Sequence, residues 1–269
     1  PPAPADNDQR SCGEREQQLY ETLSEVVAQH LIADVPVGLL LSGGLDSSLI
    51  AALAARHAPI TTISMGFAES GVDERGYARV VAQHIQSDHR EIVIHPHEIS
   101  DNIEDVVWYF DDLFADWGTV TTRLMYQKCR EQGIKVVLVG EGSDELFGGY
   151  TIFDAAQQGR GPQDWRLFQL YRRYVGRRYG GQFAGFRALM REYLAHSNGD
   201  MFHAVRLFES RNQLPNNYVM KVDKASMSVS VEARAPFLDR RIAELAYRTP
   251  ASDLLVNGDN KALLRSMAE

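Results

Sequence analysis

Leu41-Ser42-Gly43-Gly44-Leu45-Asp46-Ser47-Ser48 is the stretch whose reading decides the fold. The apolar run Val37-Gly38-Leu39-Leu40-Leu41 leads into it, and an Ala-rich helical pattern from Leu49 to Arg56 leaves it. A short buried strand, a tight polar turn and a helix start are therefore predicted. Gly43 and Gly44 lack a Cβ, so the backbone can bend close to a ligand. The turn's N–H groups then converge at a helix N-terminus that carries about half a positive charge, which suits a phosphate or pyrophosphate. Ser42, Ser47 and Ser48 add hydroxyl donors. Asp46 runs against this pattern, because a carboxylate repels phosphate. A bridging Mg²⁺ resolves the conflict by binding carboxylate and phosphate oxygens together. The competing reading is an ordinary strand-to-helix turn with capping serines.

The stretch resembles the SGGxDS pyrophosphate loop of the N-type ATP pyrophosphatases. No G-x-x-x-x-G-K-[ST] occurs in the chain. The nearest approach to G-x-G-x-x-G is Gly140-Glu141-Gly142-Ser143-Asp144-Glu145, with Glu in the last glycine's place.

The chain of 269 residues is long enough for a substantial core in one large domain or two modest ones. Its formal net charge of −8 argues against a general nucleic-acid binder. No apolar run reaches the roughly 20 residues of a membrane helix. No signal peptide is visible in the Pro1-Pro2-Ala3-Pro4 opening, so a cytoplasmic setting is expected. Cys12 and Cys129 have no metal spacing and need not pair.

Outward from the turn, residues 1–13 are polar and Pro-rich and read as a linker or tail. Helical spacing from Glu14 to about Asp34 places Leu19, Leu23, Val26, Val27 and Leu31 inward. Ile60–Phe67, His89–Ile94 and Lys135–Val139 read as further strands. Helices are predicted over Asp73–Gln86, with Tyr77, Val80, Val81 and Ile85 inward, over Glu98–Phe110, and over Thr119–Glu131, with Gly133 as its stop. Alternating strands and helices imply an α/β fold: a parallel sheet with helices on both faces. Sites in such sheets lie beyond the strand C-termini, where both Ser42–Ser48 and Gly140–Tyr150 fall. From Tyr150 onward the chain reads as mostly helical. The expected division is 14–150 for the α/β domain and 151–269 for a helical part completing it. The run Arg172, Arg173, Arg177 and Arg178 reads as a solvated helix face or a salt-bridge donor set.

Gly140-Glu141-Gly142-Ser143-Asp144-Glu145-Leu146-Phe147-Gly148-Gly149-Tyr150 packs three carboxylates and four glycines behind a buried strand. Like charges repel and glycines cost chain entropy, so a metal or a cationic group would explain the cluster better than a structural turn. In Val222–Asp239, Pro236 breaks any helix, Asp239 could cap the next one, and Glu232 with Arg234 could form a structural ion pair.

These stretches together resemble the synthetase domain of the asparagine synthetase (glutamine-hydrolysing) family. The second motif, then Asp223, Met227, Glu232, Arg234 and Pro236-Phe237-Leu238-Asp239, and finally Lys261-Ala262-Leu263-Leu264-Arg265, carry the resemblance over nearly the whole chain. It implies the adenine nucleotide α-hydrolase-like fold of the N-type ATP pyrophosphatases. It also implies ATP and Mg²⁺, adenylation of a carboxylate, and displacement of AMP by ammonia to give an amide. Ser42, Gly43, Gly44, Asp46, Ser47 and Ser48 would hold the pyrophosphate, and Asp46 and Asp144 the Mg²⁺. Lys261 would stabilise charge on the phosphates, and Glu141 would take a proton from the amine. Leu41, Met65, Val139 and Gly140 match positions lining the adenosine pocket, with plain core residues the alternative for the first three. The expected partners are a carboxylate substrate, ammonia, a glutaminase domain or subunit as ammonia source, and a second copy of the chain in a possible homodimer.

The family's N-terminal glutaminase domain has no counterpart here, and Cys12 reads as incidental. A cut-down chain is therefore expected, or ammonia from a partner or from solution. The chain also stops soon after Lys261, which suggests truncation or disorder at that end. Trp117-Gly118 stands where the family has Pro and Ser, so aspartate is not assured as the substrate. Trp117 is either a pocket wall or a core aromatic. An amidotransferase or cyclase acting on another carboxylate, or a nucleotide-binding module without turnover, are the alternatives.

Overall fold

The computed structural model describes residues 10–68, 75–111, 116, 118–157, 182–256 and 258–269. The Arg run and Trp117 lie outside the described residues.

In chain order the elements are α1 (Cys12–His30), β1 (Val37–Leu40), α2 (Leu45–His57), β2 (Thr61–Phe67), α3 (Arg75–His84), β3 (Asp88–Ile94), α4 (Pro96–Asp101), α5 (Ile103–Phe110), α6 (Gly118–Glu131), β4 (Val136–Leu138), α7 (Ser143–Phe147) and α8 (Thr151–Gln157). Then follow α9 (Gln182–His196), α10 (Met201–Phe208), a π-helical stretch (Glu209–Val219), α11 (Met220–Met227) and β5 (Glu232–Arg234). A 3₁₀ turn (Pro236–Leu238), α12 (Arg240–Arg248), α13 (Ala251–Leu254), the hairpin β6 (Leu255–Val256) and β7 (Asp259–Asn260), and α14 (Ala262–Ala268) complete the described chain.

The sheet has the order β3-β2-β1-β4-β5, and every neighbouring pair is parallel. Val136, Val137 and Leu138 of β4 are all buried, as a strand covered on both faces requires. One core lies on the face of α1, α2 and α3 and extends into the helical part; it includes Leu23, Ile50, Ala78, Phe153, Phe202 and Leu264. A second core on the opposite face includes Ile63, Ile92, Phe110, Leu124 and Val137. In α1, Leu19, Leu23, Val26 and Val27 are buried, each stabilising by about 1.5–3 kcal/mol. The neighbours of β1 are joined on opposite sides, so the order reverses there. Such a reversal opens a crevice at the strand C-termini, between the turns leaving β1 and β4.

Four details differ from the sequence reading. The first helix opens at Cys12 rather than Glu14, because Ser11 caps it in a reciprocal capping box with Glu14. Tyr77 and Val80 are 71% and 66% exposed, and the residues of α3 that face the sheet are Ala78 and Ala82. Small side chains let α3 approach the turn after β1: a Cβ on Gly43, which has φ +82°, would lie 2.5 Å from the Cβ of Tyr77. The stretch expected as one helix over Glu98–Phe110 is two, joined at Asn102, whose amide donates to the carbonyl of Glu98. Finally, β5 is a sheet strand inside the part read as helical. Its Arg234 makes the expected ion pair with Glu232 at 2.7 Å, and also donates to the carbonyls of His30 and Ile32 at the end of α1.

In the helical part the guanidinium of Arg206 is buried. It donates to the carbonyls of Ala246, Tyr247 and Thr249 at the end of α12, to His203 Nδ1, and lies over the Phe202 and Tyr247 rings. Among the described residues no helix is long and apolar enough to cross a membrane.

Candidate active site

Two turns at the sheet's C-terminal edge build the site. The first leaves β1 and opens α2, with Gly44 as the N-cap residue. Its serines bond one another: the Ser42 N–H donates to Ser47 Oγ at 3.2 Å, the two hydroxyls lie 3.0 Å apart, and the Gly44 N–H donates to Ser42 Oγ at 3.2 Å. The Ser48 hydroxyl is buried without a partner. The turn is thus held in shape by its own side chains at the N-terminus of a 13-residue helix, where the backbone favours an anion.

The second turn leaves β4 and opens α7. Ser143 Oγ donates to Asp46 Oδ1 at 2.8 Å, tying the two turns together across 97 residues of sequence. The ammonium of Lys261 sits between the two aspartates, 2.6 Å from Asp46 Oδ2 and 2.7 Å from Asp144 Oδ1. Lys261 has left-handed backbone angles, φ 56° and ψ 37°, between the β6–β7 hairpin and α14. Gly149 lies against this bridge. A Cβ there would fall 1.7 Å from Asp144 Oδ1 and 2.3 Å from Lys261 Cε, so no other residue fits without moving the ion pair.

A cavity of about 300 Å³ opens beside these groups. Ser42, Asp46, Ser47, Val139, Gly140, Glu141 and Asp144 line it, together with Leu40, Thr122, Met125, Tyr126, Lys221 and Val222. A second cavity, of about 340 Å³, also reaches Glu141. Its lining includes Val139, Val219, Ala233, Ala235 and Leu238, with His30, Asp223 and Asp239. Glu141 therefore stands between the two spaces.

Its carboxyl is pushed up to about 7, mainly by burial and next by the neighbouring Glu145, while Lys221 pulls the other way. Burial also raises Asp46, against the pull of the Lys261 ammonium. Glu145 is raised by burial too, although the Tyr150 hydroxyl donates to it at 2.6 Å. On the opposite wall Lys221 pairs with Asp116 at 2.8 Å, and Asp116 Oδ1 accepts from the Gly118 N–H at 2.7 Å. Burial opposes ionisation of Asp116, yet those two donors hold its carboxyl below the usual range.

Of the residues singled out in the sequence, Ser42, Gly44, Asp46, Ser47, Val139, Gly140, Glu141, Asp144 and Lys261 lie in or beside this one crevice. Gly43 is packed against α3. The Leu41 side chain is in the core and its N–H donates to the Ile63 carbonyl at 2.7 Å. The half-buried Met65 packs on the second core. The cavity's apolar wall beside the first turn is formed by Leu40 instead. Thr122, Tyr126 and Lys221 escaped sequence reading, because each is a single polar residue in a helical stretch with no local motif.

The metal question turns on the donor set. Two carboxylates already share one cation, the Lys261 ammonium. Mg²⁺ is commonly held by one or two carboxylates plus substrate phosphates rather than by a full protein cage. Among the described residues no group of three or more His, Cys, Asp or Glu forms a metal cage. The residues present fit Mg²⁺ bound together with a nucleotide.

A parallel sheet with a Ser-Gly-Gly turn opening a helix at its reversal point, answered by a carboxylate-rich turn from the next strand, defines an α/β protein with its site in the crevice at the strand C-termini. Sequence comparison then places it more narrowly: the asparagine synthase family model matches residues 18–269, and the chain belongs to that family. Its relatives include a Mycobacterium tuberculosis protein provisionally named as a glutamine-hydrolysing asparagine synthetase, 32% identical over 316 residues, covering 100% of this chain and 47% of that one. The glutamine-hydrolysing asparagine synthetase 1 of Bacillus subtilis is 28% identical over 294 residues, covering 94% and 46%. The chain spans about half the length of the curated relatives it matches. Among solved structures, an NH₃-dependent NAD synthetase of Campylobacter jejuni aligns with a TM-score of 0.39 and 15% identity, over 80% of this chain and 95% of that one.

Proposed function

We propose that the chain is an ATP-dependent amide-forming synthetase, and that the crevice between the turns after β1 and β4 is where it adenylates a carboxylate. The observation that carries this reading is the meeting of Asp46, Asp144 and Lys261, up to 215 residues apart in sequence, beside a helix N-terminus and a serine-lined turn. Membership of the asparagine synthase family supports it.

In this reading the Ser42–Ser48 turn and the α2 N-terminus receive the β- and γ-phosphates. Asp46 and Asp144 would hold Mg²⁺, which would supply positive charge against the departing pyrophosphate. The substrate carboxylate oxygen attacks the α-phosphorus, and the bond from that phosphorus to the bridging oxygen of the β-phosphate breaks. Lys261 offers its ammonium to the charge that develops on the phosphates. Ammonia then attacks the acyl carbon, the bond to the AMP oxygen breaks, and an amide forms. Glu141, with a carboxyl near 7, accepts the proton released by the attacking amine. Its place between two cavities supports an amine arriving from the second while the adenylate occupies the first. The glutamine-hydrolysing names of the relatives make glutamine, through a glutaminase domain or subunit, the proposed source of that ammonia.

Pyrophosphate release measured over a panel of carboxylic acids with added ammonia tests the proposal. Aspartate-dependent release with asparagine as product would identify the substrate. Release with another acid would point to an amidotransferase or cyclase, and tight ATP binding without release from any acid would sink the synthetase reading.

A further inference from the structure

Lys261 occupies the place between the carboxylates that the proposed function gives to a metal. Its ammonium is within hydrogen-bond reach of both Asp46 and Asp144 at once, and its side chain is 9% exposed. The arrangement is built rather than incidental. Gly149 leaves room for nothing larger beside the bridge. Asn260 Nδ2 donates to the Gly149 carbonyl at 3.3 Å, and Arg265 Nε donates to the Asn260 carbonyl at 3.0 Å, so the residue before the left-handed Lys261 is held by both its side chain and its carbonyl. Ser143 meanwhile occupies the second oxygen of Asp46.

An ammonium and a magnesium ion do not fit between the same two carboxylates together. Magnesium–oxygen bonds are roughly 2.0–2.1 Å, shorter than both ammonium contacts. A bound metal therefore draws the carboxylates inward over the space that the Lys261 Nζ fills. Lys261 must leave, and leaving is favourable only when another anion takes its charge. The group that provides one is the triphosphate.

We infer that Lys261 is the resident cation of the two-aspartate site when no nucleotide is bound, and that it yields that place to a divalent metal only when a nucleotide's phosphates receive its ammonium. The site thus takes metal and nucleotide as one unit and rejects free metal. The inference rests on the assignment of Asp46 and Asp144 as metal ligands.

Mn²⁺ titration followed by electron paramagnetic resonance tests it on the purified protein, with and without the non-hydrolysable nucleotide α,β-methylene-ATP. Wild type without nucleotide is expected to bind Mn²⁺ at least about tenfold more weakly than K261M, a gap of the size an ion pair in a partly buried site creates. With nucleotide, wild type is expected to bind one Mn²⁺. Equal Mn²⁺ affinity of wild type and K261M without nucleotide would overturn the inference and leave the metal assignment standing. If neither protein binds Mn²⁺ under any condition, or if D46N binds it as well as wild type does with nucleotide, the metal assignment itself fails. A second measurement needs no variant: the NMR signal of the Lys261 ammonium in wild type should shift on adding Mg²⁺ with the nucleotide analogue and stay put with Mg²⁺ alone. A shift with Mg²⁺ alone would contradict the inference.

Discussion

Two carboxylate pairs beside one crevice differ in how their charge is compensated. Asp46 and Asp144 share a lysine ammonium at hydrogen-bond distance, and Asp46 also accepts from Ser143. Glu141 and Glu145 stand a turn away with no such compensation: no described cation pairs with Glu141, and Glu145 has a tyrosine hydroxyl. The first pair holds a cation directly, although burial still raises Asp46 above its ordinary value. Burial pushes both carboxyls of the second pair towards holding a proton, and with the added repulsion of Glu145 it lifts Glu141 to about 7. On the proposed reading, a cation on one pair and none on the other lets one crevice serve as both an electrostatic clamp and the seat of a base that works at neutral pH.

The sharpest way to break this contrast is D46N. It is expected to lower Mg-ATP-dependent pyrophosphate release by about 10³-fold or more, several kcal/mol of lost charge stabilisation, with an unchanged circular dichroism spectrum. E141Q should separate the pairs by step. Amide formation is expected to fall by about 10²-fold or more, while carboxylate-dependent exchange of pyrophosphate into ATP survives. Loss of both would place Glu141 with the clamp instead. G149A should disturb the clamp alone, because its methyl group displaces Asp144 and Lys261. A fall of roughly ten- to a hundred-fold in kcat is expected from misplaced charge, with the Glu141-dependent limb of the pH profile unmoved.

The effect of Glu141 on stability sharpens the same point. A carboxyl raised in the folded chain binds its proton there at pH values where the unfolded chain has lost it. The associated stability is full below the ordinary value of 4.5 and drains away as pH rises through about 7. On the order of 3 kcal/mol is at stake, and urea midpoints of E141Q should be flatter than wild type across that window. The smallest effect is expected for S143A, which removes one hydrogen bond to Asp46. It should weaken Mg-nucleotide binding by a few-fold, about 1 kcal/mol, as read by calorimetry.

Much of this was written into the chain locally. Glycines beside serines and an aspartate, directly behind an apolar run, announce an anion-binding turn, and both turns fall at the same sheet edge. Lys261 was reachable only through its likeness to a family pattern, since nothing in its short context says that a left-handed lysine meets Asp46. Tyr77 and Val80 misled because helical spacing marks an apolar stripe without saying whether alanines on the neighbouring stripe pack closer. The three-residue β5 left no periodic trace, and its Arg234 matters through carbonyls contributed by α1. Lys221 and Thr122 come into the cavity from separate helices, so only the fold brings them together.

The grip of Arg206 on Ala246, Tyr247 and Thr249 has a consequence for the far end of the site. It pins the end of α12, and only the short run through α13 and the β6–β7 hairpin separates that anchor from Lys261. On the inference drawn above, the ammonium is a tethered competitor, whose effective concentration at the aspartates follows from tether length and not from anything in solution. Lengthening the loop between β6 and β7 would dilute it, and ordinary millimolar Mg²⁺ would then begin to fill the site unaided.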